Sequence, residues 1–93
     1  MGGRRKTEKQ EKYEINEHSG RDFTLILHND DVHDFDFVIH SLIDVCKHDS
    51  VQAEQCTFLV HYKGKCDIKK GKYHELKKMY NLLQSKGLIV TLN

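Results

Sequence analysis

Apolar positions along the chain fall into short blocks whose period changes from one block to the next. Phe23-Thr24-Leu25-Ile26-Leu27 is rich in β-branched and apolar residues and stops at Asn29-Asp30-Asp31, which predicts a strand running into a polar turn. From Phe35 onward, Val38, Ile39, Leu42, Val45 and Cys46 recur at three- and four-residue spacing. That is one face of a helix about three turns long, with Asp34 where an N-cap belongs. Lys47 and His48 fall near its C-terminal end, where positive charge suits the helix dipole. Asp49 with Gln52 makes a capping box for a second helix, with Ser50 as a rival cap. Cys56, Leu59 and Val60 supply the apolar side of that helix, and Gly64 sits at its C-terminal turn. Residues 65–68 predict a short strand and Lys69-Lys70-Gly71 a turn. A third helix over 72–85 carries Tyr73, Leu76, Met79, Tyr80 and Leu83 on one side; Gly87 ends it, and 88–92 form the last strand.

The order is β-α-α-β-α-β. Three strands and three helices in so short a chain predict an α+β sandwich, a three-stranded antiparallel sheet packed by three helices. Residues 1–20 do not share the pattern. They alternate Lys, Arg and Glu, with Tyr13 and Ile15 as bulky apolar groups. Such a stretch buries too little surface to offset its ordering entropy and is expected to be a flexible N-terminal extension, leaving 21–93 as the folded core.

At 93 residues there is room for one domain and none for a cleft between two, which favours binding over complex catalysis. Fifteen Lys and Arg against fourteen Asp and Glu give no concentrated basic character, so nucleic acid is not an expected partner. No apolar run reaches membrane-spanning length and the N-terminus is charged, so a cytoplasmic protein without membrane attachment is expected. Three cysteines, an odd number, do not suggest a disulfide framework.

Candidate chemistry lies in three places. Asn29, Asp30 and Asp31 close a strand, and His61 closes the second helix. A primary ammonium carries three donors, and a carboxamide oxygen, a carboxylate and a neutral imidazole could accept them. The plainer alternative is a turn followed by a helix start, with His61 simply a helix-end residue. The seven His and three Cys suggest a metal only by number: Cys46, Cys56 and Cys66 lack the paired short spacings of structural zinc sites. No metal or cofactor is therefore expected. Cys56 and His61, five apart on one helix, point in different directions, so a thiol–imidazole nucleophile is not expected either.

The runs Leu27-His28-Asn29-Asp30-Asp31, Phe37-Val38-Ile39, Ala53-Glu54-Gln55 and Val60-His61-Tyr62-Lys63-Gly64-Lys65 resemble the ClpS family, adaptors of the bacterial N-degron pathway. The likeness runs from about residue 23 to the C-terminus and is nearest in feel to the short forms of the Bacteroidetes branch. It implies a pocket that takes the bulky side chain of an N-terminal Leu, Phe, Tyr or Trp while the free α-amino group is held at the rim. Carried over, Asn29 and Asp31 accept from the ammonium and His61 completes the cradle, with Asp30 in the same motif. Val38, Val60 and Leu88 belong to the pocket wall, and Phe35 and Thr57 replace two methionines usual in the family. Glu75 and Lys77 resemble a docking pair for a Clp-family AAA+ unfoldase N-domain. The implied partners are that unfoldase and N-degron substrate proteins, with the chain itself a monomer. A buried Leu or Phe side chain contributes about 1.5–3 kcal/mol, and loss of one buried acceptor from the cradle costs about 2–5 kcal/mol.

The chain departs from the family where an aromatic residue, Thr and Pro usually follow Asn-Asp-Asp; here Val32-His33-Asp34 stands instead. The rim loop loses proline's stiffness and presents His33. Phe35 for Met exchanges an adaptable wall for a rigid one, and the segment between Gly64 and Leu88 is short for the family. A protein-interaction module on the same fold with altered or lost N-degron recognition is therefore the alternative. A small metal-binding or regulatory protein is a third.

Overall fold

The computed structural model describes residues 20–93, so the extension expected over 1–20 lies outside the described residues apart from Gly20. The elements run β1 (Phe23–His28), α1 (Phe35–Cys46), α2 (Ser50–Lys63), β2 (Lys65–Gly71), α3 (Tyr73–Ser85) and β3 (Ile89–Leu92). The sheet has the order β2-β1-β3 with both pairs antiparallel. This is the expected β-α-α-β-α-β sandwich.

The core forms where the three patterns meet. β1 sends Phe23, Leu25 and Leu27 to one face, as period-two alternation requires. Val38, Leu42, Val45 and Cys46 of α1 and Ala53, Cys56 and Val60 of α2 close over that face. Leu76 and Leu83 of α3, with Leu88 and Val90, complete it. Among the described residues no helix is long and apolar enough to cross a membrane.

Caps fix where the helices begin and end. Asp34 accepts from the Phe37 amide at 2.9 Å, and Asp49 from the Gln52 amide at 2.7 Å, so Ser50 lies inside α2 rather than capping it. Gly64, at φ 90°, turns the chain out of α2, and its N–H donates to the Val60 carbonyl.

Three local expectations are corrected. Lys69-Lys70-Gly71 is not a turn: β2 continues through Gly71, because Phe23, Thr24 and Leu25 offer it a partner along their whole length. Leu59 is 42 % exposed rather than part of the apolar side of α2, which is made by Ala53, Cys56, Thr57 and Val60. His48 is not a surface group at a helix end. It is buried, and its Nε2–H donates to the Ile68 carbonyl at 2.7 Å.

The cause lies in the sheet. Leu25 pairs with Lys69 and Ile26 with Asp67, so Ile68 is the extra residue of a bulge. A bulged residue leaves the ladder locally unpaired, and His48 reaches across from the α1–α2 connection to satisfy the carbonyl there. His48→Leu, which keeps the bulk and removes the donor, should destabilise the fold by about 1–3 kcal/mol. Urea denaturation followed by circular dichroism measures it.

Candidate functional site

A cavity of about 320 Å³ opens where the end of β1, the N-terminus of α1 and the last turns of α2 converge. Its lining comprises Leu27, His28, Asn29, Asp30, Asp31, His33, Asp34, Phe35, Val38, Thr57, Val60, His61 and Leu88. Every residue assigned from the sequence to the cradle, the rim and the pocket wall is among them. Glu75 and Lys77 are not. They lie on α3, where Lys77 Nζ sits 4.8 Å from the Tyr80 ring centroid beside a second, shallow groove formed with Tyr73, Thr91, Leu92 and Asn93.

Two halves of the lining differ in character. Val38, Val60 and Leu88 are buried and apolar, and Thr57 is buried with its hydroxyl donated to the Ala53 carbonyl at 2.8 Å. That hydroxyl proton is committed along the helix, so Thr57 adds no free donor to the cavity. Phe35 is half-buried, its ring 4.9 Å from Phe58 and 5.9 Å from His61, edge to face in each case. Asn29, Asp31 and His61 stand at the exposed mouth, and their side chains make no hydrogen bond to any other described residue. The Asn29 N–H donates to the Gly64 carbonyl at 2.9 Å, which brings the end of β1 against the turn that follows His61.

Asp30 is used differently from its neighbour Asp31. Its side chain is 9 % exposed. Oδ1 accepts from the Val32 and His33 amides at 2.8 Å each, and the two carboxylate oxygens face His33 Nδ1 at 3.2 and 3.3 Å. The His33 ring stacks on Phe37 at 4.7 Å between centroids. Asp30 therefore holds the loop together from inside, supplying by hydrogen bonds the stiffness that a proline supplies by its ring. Burial pushes its carboxyl up, but the His33 and Val32 amides and the His33 side chain outweigh burial and leave it below the usual carboxylate range.

The family model described as ATP-dependent Clp protease adaptor protein ClpS matches residues 18–91. The chain belongs to the ClpS family. Its fold is also that of ClpS2 from Agrobacterium tumefaciens, solved bound to L-phenylalaninamide, with a TM-score of 0.67 and 19% sequence identity. That match covers 78% of this chain and 95% of the other. The comparison with curated proteins finds no match. ClpS proteins are protease adaptors rather than catalysts, and the family's working partners are Clp proteases.

Two of the three buried thiols are held in their protonated form. Burial pushes Cys46 up to about 11 and Cys66 up to about 12, the latter aided by the hydrogen bond its S–H donates to Cys56, so both are protonated at neutral pH. Among the described residues no three His, Cys, Asp or Glu side chains are placed to hold a metal ion.

Sequence reasoning missed Leu27, His28 and Asp34 as lining residues. Leu27 was legible as an inward strand position next to the Asn-Asp-Asp turn. His28, whose Nε2 lies 2.8 Å from Thr91 Oγ1, shows a cross-strand contact that no spacing announces.

Two measurements probe this ClpS site. The Asp30 carboxylate is stabilised by folding, so its contribution is complete above the ordinary aspartate value of about 3.9 and is lost as pH falls through the lower folded value. The Asp30 carboxyl carbon, monitored by NMR titration, should show its midpoint below the ordinary aspartate value. Gly87, at φ 90°, has the His33 ring 3.1 Å from where a Cβ would stand. Gly87→Ala should cost more than about 1 kcal/mol, read as a lower urea midpoint, and should shift the His33 ring resonances.

Proposed function

We propose that the chain binds the free N-terminus of a polypeptide whose first side chain is bulky and apolar, and delivers that polypeptide to a Clp-family AAA+ unfoldase. The observation that carries this reading is the pairing of an apolar cavity with three uncommitted acceptors at its mouth, Asn29, Asp31 and His61. An α-ammonium has three donors to place and a net charge, both of which suit a carboxylate, a carboxamide oxygen and an imidazole nitrogen. The amide nitrogen of an internal residue has one hydrogen and no charge, so the mouth distinguishes a chain end from a chain middle.

Below the mouth, Val38, Val60 and Leu88 take the side chain out of water. The cavity lies at the low end of ligand-site volumes, which suits a single side chain. Burial there contributes about 1.5–3 kcal/mol. Asp30 takes part by shaping the loop that presents Asp31, rather than as a free acceptor. The unfoldase contact belongs to α3, where Glu75 is exposed and Lys77 lies over Tyr80, clear of the cavity. A substrate and an unfoldase N-domain can then be held at once, by a monomer with no cofactor, in the cytoplasm.

Fluorescence anisotropy with a labelled peptide beginning Phe or Leu tests the reading. The free amine should bind and the acetylated peptide should not; equal binding of the two removes the cradle. The acceptors stand exposed in the free protein, so the loss from a single deletion is smaller than for a fully buried charge. Asp31→Ala should cost about 1.5–3 kcal/mol, and unchanged affinity would take Asp31 out of the site.

A further inference from the structure

The outer surface of α2 carries large aromatic groups that the core does not use. Phe58 is 44 % exposed and Tyr62 is 76 % exposed. They are one turn apart, so they share a face, and their rings stack at 6.0 Å with 7° between planes. Phe35 extends the row across to α1, edge-on to Phe58 at 4.9 Å. His61 is edge-on to both Phe35 and Tyr62, at 5.9 and 5.5 Å. Phe35 and His61 also line the cavity, so the row begins at the cavity mouth and runs outward from it.

We propose that Phe35, Phe58 and Tyr62 form a second subsite, one that takes the side chain of residue two of a peptide whose first residue fills the cavity, and selects aromatic or large apolar groups there. The proposal rests on the reading of the cavity given above. If the ammonium lies against His61 and the first side chain points inward, the next Cα is about 3.8 Å further along the chain. The rings flanking His61 stand within reach of a side chain leaving from that point. On the other side of the mouth His33 is already stacked on Phe37 and clamped to Asp30, which leaves a closed polar wall. The open apolar ground next to the mouth is the aromatic row. Its rings are held in place by one another, so little ordering cost attends a third ring packing against them.

The test needs the full chain and two peptides that begin with Phe and differ at residue two, Ala in one and Tyr in the other. By anisotropy the Tyr peptide should bind about three- to tenfold tighter, as expected for an added aromatic contact. In Tyr62→Ala and in Phe58→Ala the ratio between the two peptides should fall toward one, and Tyr62→Phe should keep it. Circular dichroism establishes that each variant folds. Wild-type affinities for the two peptides within a factor of two would overturn the subsite and leave the cavity reading standing. Failure of both peptides to bind would overturn the cavity reading itself.

Discussion

A single backbone hydrogen bond, from the Asn29 amide to the Gly64 carbonyl at 2.9 Å, decides where everything else at the site can be. It is the last rung above the β1–β2 ladder, whose final pair is His28 with Lys65. The whole of α1 and α2 is therefore an excursion between two clamped ends. Closing it brings Asn29, Asp30 and Asp31 against the C-terminal turn of α2 that carries His61, though some thirty residues of chain lie between them. The entropy of closing such a loop is met once, by the strand pair, and the site inherits the closure at no further cost. The cavity is the space left beneath, floored by the helix faces that also seal the core.

Rigidity at the mouth has a different source. The loop between β1 and α1 contains no proline, and its fixed shape comes from Asp30, which satisfies two successive amides and the His33 ring. The His33 ring in turn fills the space that a side chain on Gly87, the residue before Leu88 in the cavity wall, would need. The rim ring thus stands close beside the backbone that leads into the wall. Replacing proline's covalent constraint with a carboxylate makes the loop's order dependent on charge, and the lowered Asp30 value places that dependence well below neutral pH.

How much of this was legible in the sequence depends on the range of the forces involved. The helices were readable because their apolar spacing and their capping residues act within one or two turns: Asp34 and Asp49 cap as expected and Gly64 ends α2. The cavity lining was readable through family likeness, which carries long-range proximity that spacing alone cannot. His48 was not readable, because its burial depends on a bulge at Ile68 on a strand twenty residues away. Nor was the division between Asp30 and Asp31. Two identical residues side by side differ only in which way the turn points them, and that is set by amides further along the loop. Leu59 was misplaced because α2 is apolar on more than one side, so no single stripe marks its inner face.

That second apolar side is itself informative. A helix that needed only to cover the core could end its apolar positions at Ala53, Cys56, Thr57 and Val60. Exposed Phe58 and Tyr62 gain little by facing water, since their mutual stacking is worth only a fraction of the gain from burial. Their placement beside His61 puts apolar surface next to the mouth of the cavity, where the proposed peptide would leave it. In the proposed function, charge at the mouth fixes the end of that chain, the cavity takes its first side chain, and the row of rings offers contact to its second. The recognition proposed for this chain then depends on successive positions read outward from one histidine, which lines the cavity and stands edge-on to both Phe35 and Tyr62.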